Sequence, residues 1–208
     1  MQYLTIPVTA FEQNCSIIWC DETQQCTVVD PGGDVPRLIQ AIDSRGLKPV
    51  AVWLTHGHLD HVGGTQALAK HYQIPVWGPQ QEDAFWLEAL PMQSQRFGFP
   101  PCEAFTPDHW LNHGDVLKVG EQSVEVRFTP GHTPGHVVLY SPTLKTVFVG
   151  DVLFAGSIGR TDFPRGNHQQ LLDSINKQLF TLPDATEVVP GHGSNTTIGH
   201  EKMTNPFF

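Results

Sequence analysis

The chain has 208 residues, 12 Lys+Arg against 21 Asp+Glu for a formal net charge of −9, 39% hydrophobic residues, 4 Cys and 11 His. That length and apolar content fit one domain with a substantial core and exclude a disordered segment or a small disulfide-stapled scaffold. The acidic balance excludes a chain whose main task is neutralising nucleic-acid phosphates; what stands out is the histidine count, since imidazole ligates metals and titrates near neutrality.

Met1 to Cys15 lacks the basic start and apolar run of a secretory signal. No stretch has the apolar length that spans a bilayer. Cys15–Trp19 and Thr27–Val29, parted by the polar Asp21–Gln25, read as a strand pair. Cys15, Cys20, Cys26 and Cys102 show no CxxC pairing and read as small buried hydrophobes in a reducing cytoplasm. Asp30–Gly33 breaks the chain. Asp34 is the expected N-cap of a helix carrying Pro36 in its first turn and Val35, Leu38, Ile39 and Ile42 on one face, stopped at Gly46.

Val50–Leu54 is a continuous apolar run of strand length that leads into a histidine-rich loop, with a helix expected over Val62–His71. Ile74–Trp77 reads as a short strand and Gln80–Leu90 as a helix. Pro91 to Pro107, punctuated by Gly98, Pro100 and Pro101, reads as a long irregular connection. Val116–Val119, Val124–Phe128, Val137–Tyr140 and Thr146–Val149 read as strands. Asn167 caps a helix presenting Leu171, Leu172, Ile175 and Leu179, and Glu187–Val189 closes the series. Runs of strands with helices between them imply packed sheets covered outside by helices, in one domain without a linker.

The chemistry concentrates in Thr55-His56-Gly57-His58-Leu59-Asp60-His61-Val62. Four potential ligands within six residues, leaving an apolar strand, converge because extended residues two apart point the same way while the turn redirects the next pair. One ion cannot use all four and remain open to a substrate; two ions can, with ligands added from elsewhere. Those additions are His132 within Thr-Pro-Gly-His-Thr-Pro-Gly-His, Asp151 just past Val149-Gly150, and His192 after Val189-Pro190-Gly191. Each is presented by a glycine-containing turn at a strand end. Taken alone, any of these three reads more simply as a surface or turn residue; beside the HxHxDH cluster they read as ligands. His136 reads as a donor behind the ligands, and His71, His109, His113, His168 and His200 as solvated.

Together these residues resemble the metallo-β-lactamase superfamily over nearly the whole chain: an HxHxDH segment, then His, Asp and His at successive strand ends. The resemblance implies an α/β protein, an αβ/βα four-layer sandwich of two packed mixed sheets with outer helices, as a single domain over residues 1–208. It places His56, His58 and His132 on a first metal and Asp60, His61 and His192 on a second, bridged by Asp151. Asp60 and Asp151 take catalytic roles as well, Asp60 orienting the nucleophile. Zinc is the expected metal at both sites, with iron and manganese admitted by the same donors.

Within the superfamily, the repeated Thr-Pro-Gly-His and Phe148-Val149-Gly150-Asp151-Val152-Leu153-Phe154 are similar to the glyoxalase II group, in its short bacterial form. The implied activity is cleavage of S-D-lactoylglutathione or a related glutathione thioester to a hydroxy acid and a free thiol in the cytoplasm, with no nucleic acid or membrane as partner. An Asp at position 151, where several zinc β-lactamases use Cys, counts against antibiotic hydrolysis. The chain ends soon after His192, without the helical C-terminal domain with which longer glyoxalase II enzymes hold glutathione. Where those enzymes place a glutathione-binding Lys and Tyr, this chain runs Gly159-Arg160-Thr161-Asp162-Phe163. Arg160 is the expected substrate-binding residue, with a salt bridge to Asp162 as its alternative role. The same string is similar to persulfide dioxygenases, which use one iron, and a metal-stabilised binding module without turnover is the remaining alternative.

Overall fold

The computed structural model describes residues 1–208. Its first half contains β1 (Gln2–Val8), β2 (Gln13–Trp19), β3 (Gln25–Val29), α1 (Val35–Asp43), β4 (Lys48–Trp53), α2 (Leu59–Val62), α3 (Thr65–Tyr72), β5 (Val76–Trp77), a 3₁₀ turn (Gln81–Asp83), α4 (Ala84–Glu88) and α5 (Leu90–Phe97). The second half contains β6 (Val116–Val119), β7 (Gln122–Phe128), β8 (Val137–Ser141), β9 (Thr146–Gly150), β10 (Leu153–Phe154), β11 (Ser157–Ile158), α6 (His168–Ser174) with a π-helical extension (Ile175–Leu179), β12 (Glu187–Pro190), β13 (Thr196–Thr197) and α7 (Ile198–Thr204). β1 to β5 form one mixed sheet in that order, and β13-β12-β9-β8-β7-β6 form the other.

Alternation along the strands builds four layers. Ile18, Val29, Ala51 and Trp53 of the first sheet meet Val124, Val126, Val137, Leu139, Phe148 and Val189 of the second in a central core. Their neighbours Ile17, Val28 and Val52 face the opposite way, onto Leu38 and Ile42 of α1 and Leu68 of α3. In the second sheet Val138, Val147 and Val188 likewise turn outward onto Leu171, Ile175, Leu179 and Ile198. Both sheets are therefore apolar on both faces, which is why their strands read as continuous hydrophobic runs. Each such side chain contributes roughly 1.5–3 kcal/mol on burial. The expected sandwich is the observed one, and all four cysteines are free.

The structure departs from the sequence reading in local ways. β1 went unread because Pro7 interrupts it, yet β1 is the edge of its sheet, where a residue lacking an N–H is tolerated. Asp34 does not cap α1 through its side chain; its φ is 49°, and its Oδ2 accepts from the Thr9 N–H instead. The expected helix over Val62–His71 is two pieces, α2 and α3, separated at Gly63-Gly64. The start of the supposed irregular connection is helical, because Pro91 falls in the first turn of α5, where its missing N–H costs nothing. Asn167 does cap α6, its side chain accepting from the Gln170 N–H.

Candidate metal centre

The candidate ligands leave strands at one rim of the sandwich. β9 and β12 are parallel neighbours with Pro190 opposite Gly150, so Asp151 and His192 emerge side by side. β3 and β4 are parallel neighbours in the other sheet, bringing Asp30 beside the approach to His56. This is the crevice at carboxyl ends of strands where α/β sheets keep their sites. His58 is the N-cap of α2 with φ −72° and ψ 144°, so the chain passes there from extended to helical and lifts Asp60 and His61 on the first turn. His132 hangs in the β7–β8 loop. Close approach dictates Gly191, since a Cβ there would stand 2.3 Å from Asp151 Oδ1.

All seven expected ligands converge. His58 Nδ1 lies 3.1 Å from His56 Nε2 and 3.1 Å from His132 Nε2. Nitrogens held at ~2.0–2.1 Å around a tetrahedral ion stand about 3.3 Å apart, so this spacing suits one ion. Asp60 Oδ2 lies 3.1 Å from His192 Nε2 and 3.8 Å from His61 Nε2. Asp151 spans the two sets. Its Oδ1 is 3.3 Å from His61 Nε2, and its Oδ2 is 3.6 Å from His132 Nε2 and 3.8 Å from His192 Nε2. His61 Nε2 and Asp151 Oδ1 are buried without a hydrogen-bond partner. Orphans of this kind cost roughly 1–3 kcal/mol each, and a cation between them satisfies both. The residues present therefore fit divalent metal.

The other ring nitrogens are fixed from behind. His132 Nδ1 donates to the Arg160 carbonyl at 2.7 Å, His192 Nδ1 to the Phe11 carbonyl at 3.1 Å, and His61 Nδ1 to Asp30 Oδ2 at 2.8 Å. Each bond sets a tautomer that leaves Nε2 free to face the centre. Asp30 also accepts from the Thr55 N–H at 2.8 Å and from Thr55 Oγ1 at 2.6 Å. His136 is fully buried, stacks on His56 at 4.6 Å, and accepts from the Asp151 N–H at 3.1 Å. Its place behind the ligands agrees with the sequence reading, although it accepts there rather than donates.

Electrostatics prepare this donor set for a cation. Burial pushes His58 down to about 3 and lowers His56 and His132 as well, so these rings are neutral ligands at pH 7. Burial raises Asp151, but His61, His132 and His192 outweigh it and hold the carboxyl well below the usual range. Burial also opposes ionisation of His61, yet the carboxylates of Asp151 and Asp60 raise it.

Arg160 stands one step outside. Its carbonyl holds His132, while its exposed guanidinium pairs with Asp162 at 2.7 and 2.6 Å and lies 4.4 Å over the Phe163 ring. Phe163 in turn stands 4.7 Å from the His58 ring. The salt-bridge alternative for Arg160 is thus realised at the rim of the centre. His71, His109, His113, His168 and His200 are exposed, as expected. Sequence reasoning missed Asp30 and the buried Asp83. Asp30 read as part of a chain break with Pro31-Gly32, and Asp83 fell unmarked within the expected Gln80–Leu90 helix.

Comparison with known proteins agrees with this fold. The family model described as the Metallo-beta-lactamase superfamily matches residues 8–192. The chain is 50% identical over 203 residues to a protein of Haemophilus influenzae named hydroxyacylglutathione hydrolase GloC, covering 97% of this chain and 95% of that protein. Among solved structures it is similar to the BLEG-1 B3 metallo-beta-lactamase, with 38% identity, TM-score 0.91 and 99% of each chain covered. It is also similar to TTHA1623 in a di-iron-bound form, with 34% identity, TM-score 0.89, and 99% of this chain and 100% of that one covered. No helix is long and apolar enough to cross a membrane.

Proposed function

The chain belongs to the metallo-β-lactamase superfamily, and from that premise we propose that it hydrolyses a glutathione thioester, S-D-lactoylglutathione or a close relative, to a hydroxy acid and the free thiol. The observation that carries this reading is Asp151 lying between two sets of donors, 3.3 Å from His61 and 3.6 Å from His132. The 50% identity to a hydroxyacylglutathione hydrolase directs it toward thioesters. His56, His58 and His132 would hold one divalent ion and Asp60, His61 and His192 a second, with Asp151, which stands between the two sets, available to either. Zinc is the first expectation for both, and the di-iron relative supports iron as the other.

Ions held there supply a water of lowered pKa and polarise the thioester carbonyl. The remaining work falls to the chain. Asp60, more exposed than Asp151 among the carboxylates here, accepts a hydrogen bond from the attacking water and aims it. Arg160 at the rim receives a substrate carboxylate in exchange for part of its contact with Asp162. Water adds to the carbonyl carbon and gives up its protons to solvent, the C–S bond breaks, the acyl part leaves as a carboxylate and the sulfur as a thiolate. A thiol ionises near ~8.5, so departure needs no strong general acid from the protein. Cys15 and Cys26 are buried in the core between the first sheet and its helices, so neither serves as a nucleophile.

The test is release of free thiol from S-D-lactoylglutathione by metal-quantified protein, with and without chelator, under oxygen-free conditions. Turnover that follows metal content and needs no oxygen is the expected result. No thiol release from any glutathione thioester at full occupancy sinks the reading, and oxygen uptake with glutathione persulfide replaces it with the iron dioxygenase alternative.

A further inference from the structure

One carboxylate that touches no ligand ties the two histidine-bearing loops together. Asp83 is fully buried at the end of the 3₁₀ turn. Its Oδ2 accepts from the Gly57 N–H at 2.9 Å and from Thr133 Oγ1 at 2.8 Å, and its Oδ1 accepts from the Gly135 N–H at 2.6 Å. Gly57 lies between His56 and His58, Thr133 directly follows His132, and Gly135 directly precedes His136. A single side chain therefore fastens both loops, across 26 residues on one side and 50 to 52 on the other. The main chain closes the bracket, with the Gln80 N–H donating to the Gly135 carbonyl at 3.0 Å. The approach is close enough to require glycine, because a Cβ on Gly135 would stand 2.5 Å from the Gln80 carbonyl oxygen.

We propose that Asp83 is a positioning residue that holds His58 and His132 at their ligating separation and thereby sets the affinity of the metal site they share. The chemistry demands a carboxylate. Every group aimed at it is a donor, and an amide in its place would turn an NH2 toward one of them. Burial pushes the Asp83 carboxyl up to about 6, against the pull of Thr133, Gly135 and Gly57. At neutral pH the protein thus keeps an ionised group in its interior at a cost to stability, which favours a geometric role over a merely structural one. Hydrogen-bond partners standing behind ligands tune metal affinity by roughly 10–100-fold, and Asp83 acts one step further back, on the main chain that carries the rings.

The inference rests on the metal-centre reading above, and cobalt(II) separates the two. Affinity is read by competition with a chelator, and the ligand field by the visible absorption of the cobalt protein. For Asp83→Asn the expected result is cobalt affinity roughly tenfold or more weaker, with a shifted visible band. On thioester, kcat falls while KM stays within about twofold. Thr133→Val, which deletes one donor and keeps the carboxylate, is expected to move the same quantities less, and Thr133→Ser to restore them. If Asp83→Asn fails to fold, the Thr133 pair carries the test alone. Wild-type cobalt affinity and spectrum in folded Asp83→Asn, or in Thr133→Val where Asp83→Asn does not fold, overturn the proposal. Absence of thioester turnover by the metal-loaded wild type defeats the hydrolase reading instead, and leaves the ratio of cobalt affinities to judge Asp83.

Discussion

Asp30 Oδ2 lies 2.8 Å from His61 Nδ1, and both side chains are shut off from solvent. The carboxylate fixes the tautomer of a ring whose Nε2 faces Asp151 at 3.3 Å, so the buried charge of Asp30 polarises the imidazole that faces the centre. Asp30→Asn keeps the shape and removes the charge. It is expected to weaken the ion on Asp60, His61 and His192 by roughly 10–100-fold, and the ion on His56, His58 and His132 much less. Metal stoichiometry under a graded chelator series reads this directly. Equal loss at both sites would contradict the assignment of His61 to one of them.

Removing metal leaves His61 Nε2 and Asp151 Oδ1 buried and unpartnered, together with a crowd of neighbouring imidazoles. An ion present at a hundred times its dissociation constant stabilises the folded state by about 2.7 kcal/mol. For a domain of this size each kcal/mol moves the melting temperature by roughly 2–4 °C. Chelation is therefore expected to lower the melting temperature by about 5–10 °C per ion lost and to abolish thioester cleavage, with both restored by zinc. Scanning calorimetry with and without chelator checks it, and an unchanged melting curve after verified metal loss refutes it.

How much of this was legible depends on how local each signal is. His56, His58, Asp60 and His61 fall within six residues after an apolar strand, so their convergence follows from strand and turn geometry alone. His132, Asp151 and His192 were readable because each follows an apolar run and a glycine turn, though only the family pattern told them from ordinary turn residues. Asp30 and Asp83 carry no such mark. Each acts on partners 25 to 52 residues away, and only the tertiary fold reveals that Thr55, His61, Gly57 and Gly135 have come to meet them. Packed sheets covered by helices were legible from continuous apolar runs interleaved with helical segments, and the four-layer sandwich only from the family pattern, whereas β1 and α5 were hidden by Pro7 and Pro91. Both prolines fall at positions where a missing N–H does no harm, one on a sheet edge and one in a first helical turn.

Asp83 also predicts a pH signature. Burial raises its carboxyl to about 6 from an ordinary 3.8, so the folded chain holds a proton there that the unfolded chain has already released. The stability this group contributes is fully present below about pH 4 and is lost as pH rises through about 6. Asn cannot titrate. The difference in melting temperature between wild type and Asp83→Asn, measured on chelator-treated protein so that metal plays no part, is expected to shift in favour of Asp83→Asn between pH 4 and pH 7. The histidines titrate in both proteins and cancel in the difference. A difference that stays flat across this window would show that Asp83 is ionised without penalty.

Arg160 offers a prediction about substrate rather than metal. Its guanidinium is exposed, pairs with Asp162 and lies 4.4 Å over Phe163, whose ring stands 4.7 Å from His58. An exposed pair of this kind adds little to stability, so its value lies in placing a cation at the mouth of the centre. Asp162, held down at about 2 by Arg160, stays ionised and competes with any incoming carboxylate. Arg160→Ala is therefore expected to raise KM for a glutathione thioester by about tenfold, the worth of one charge-assisted contact, with kcat and melting temperature nearly unchanged. Against an uncharged thioester the same substitution should leave KM alone. Asp162→Ala should act in the opposite direction, lowering KM for the anionic substrate by freeing the guanidinium. Steady-state kinetics on the two substrates distinguishes a binding cation from a rim salt bridge: if Arg160→Ala shifts KM equally for both, the side chain orders the loop around Phe163 and does not receive the carboxylate.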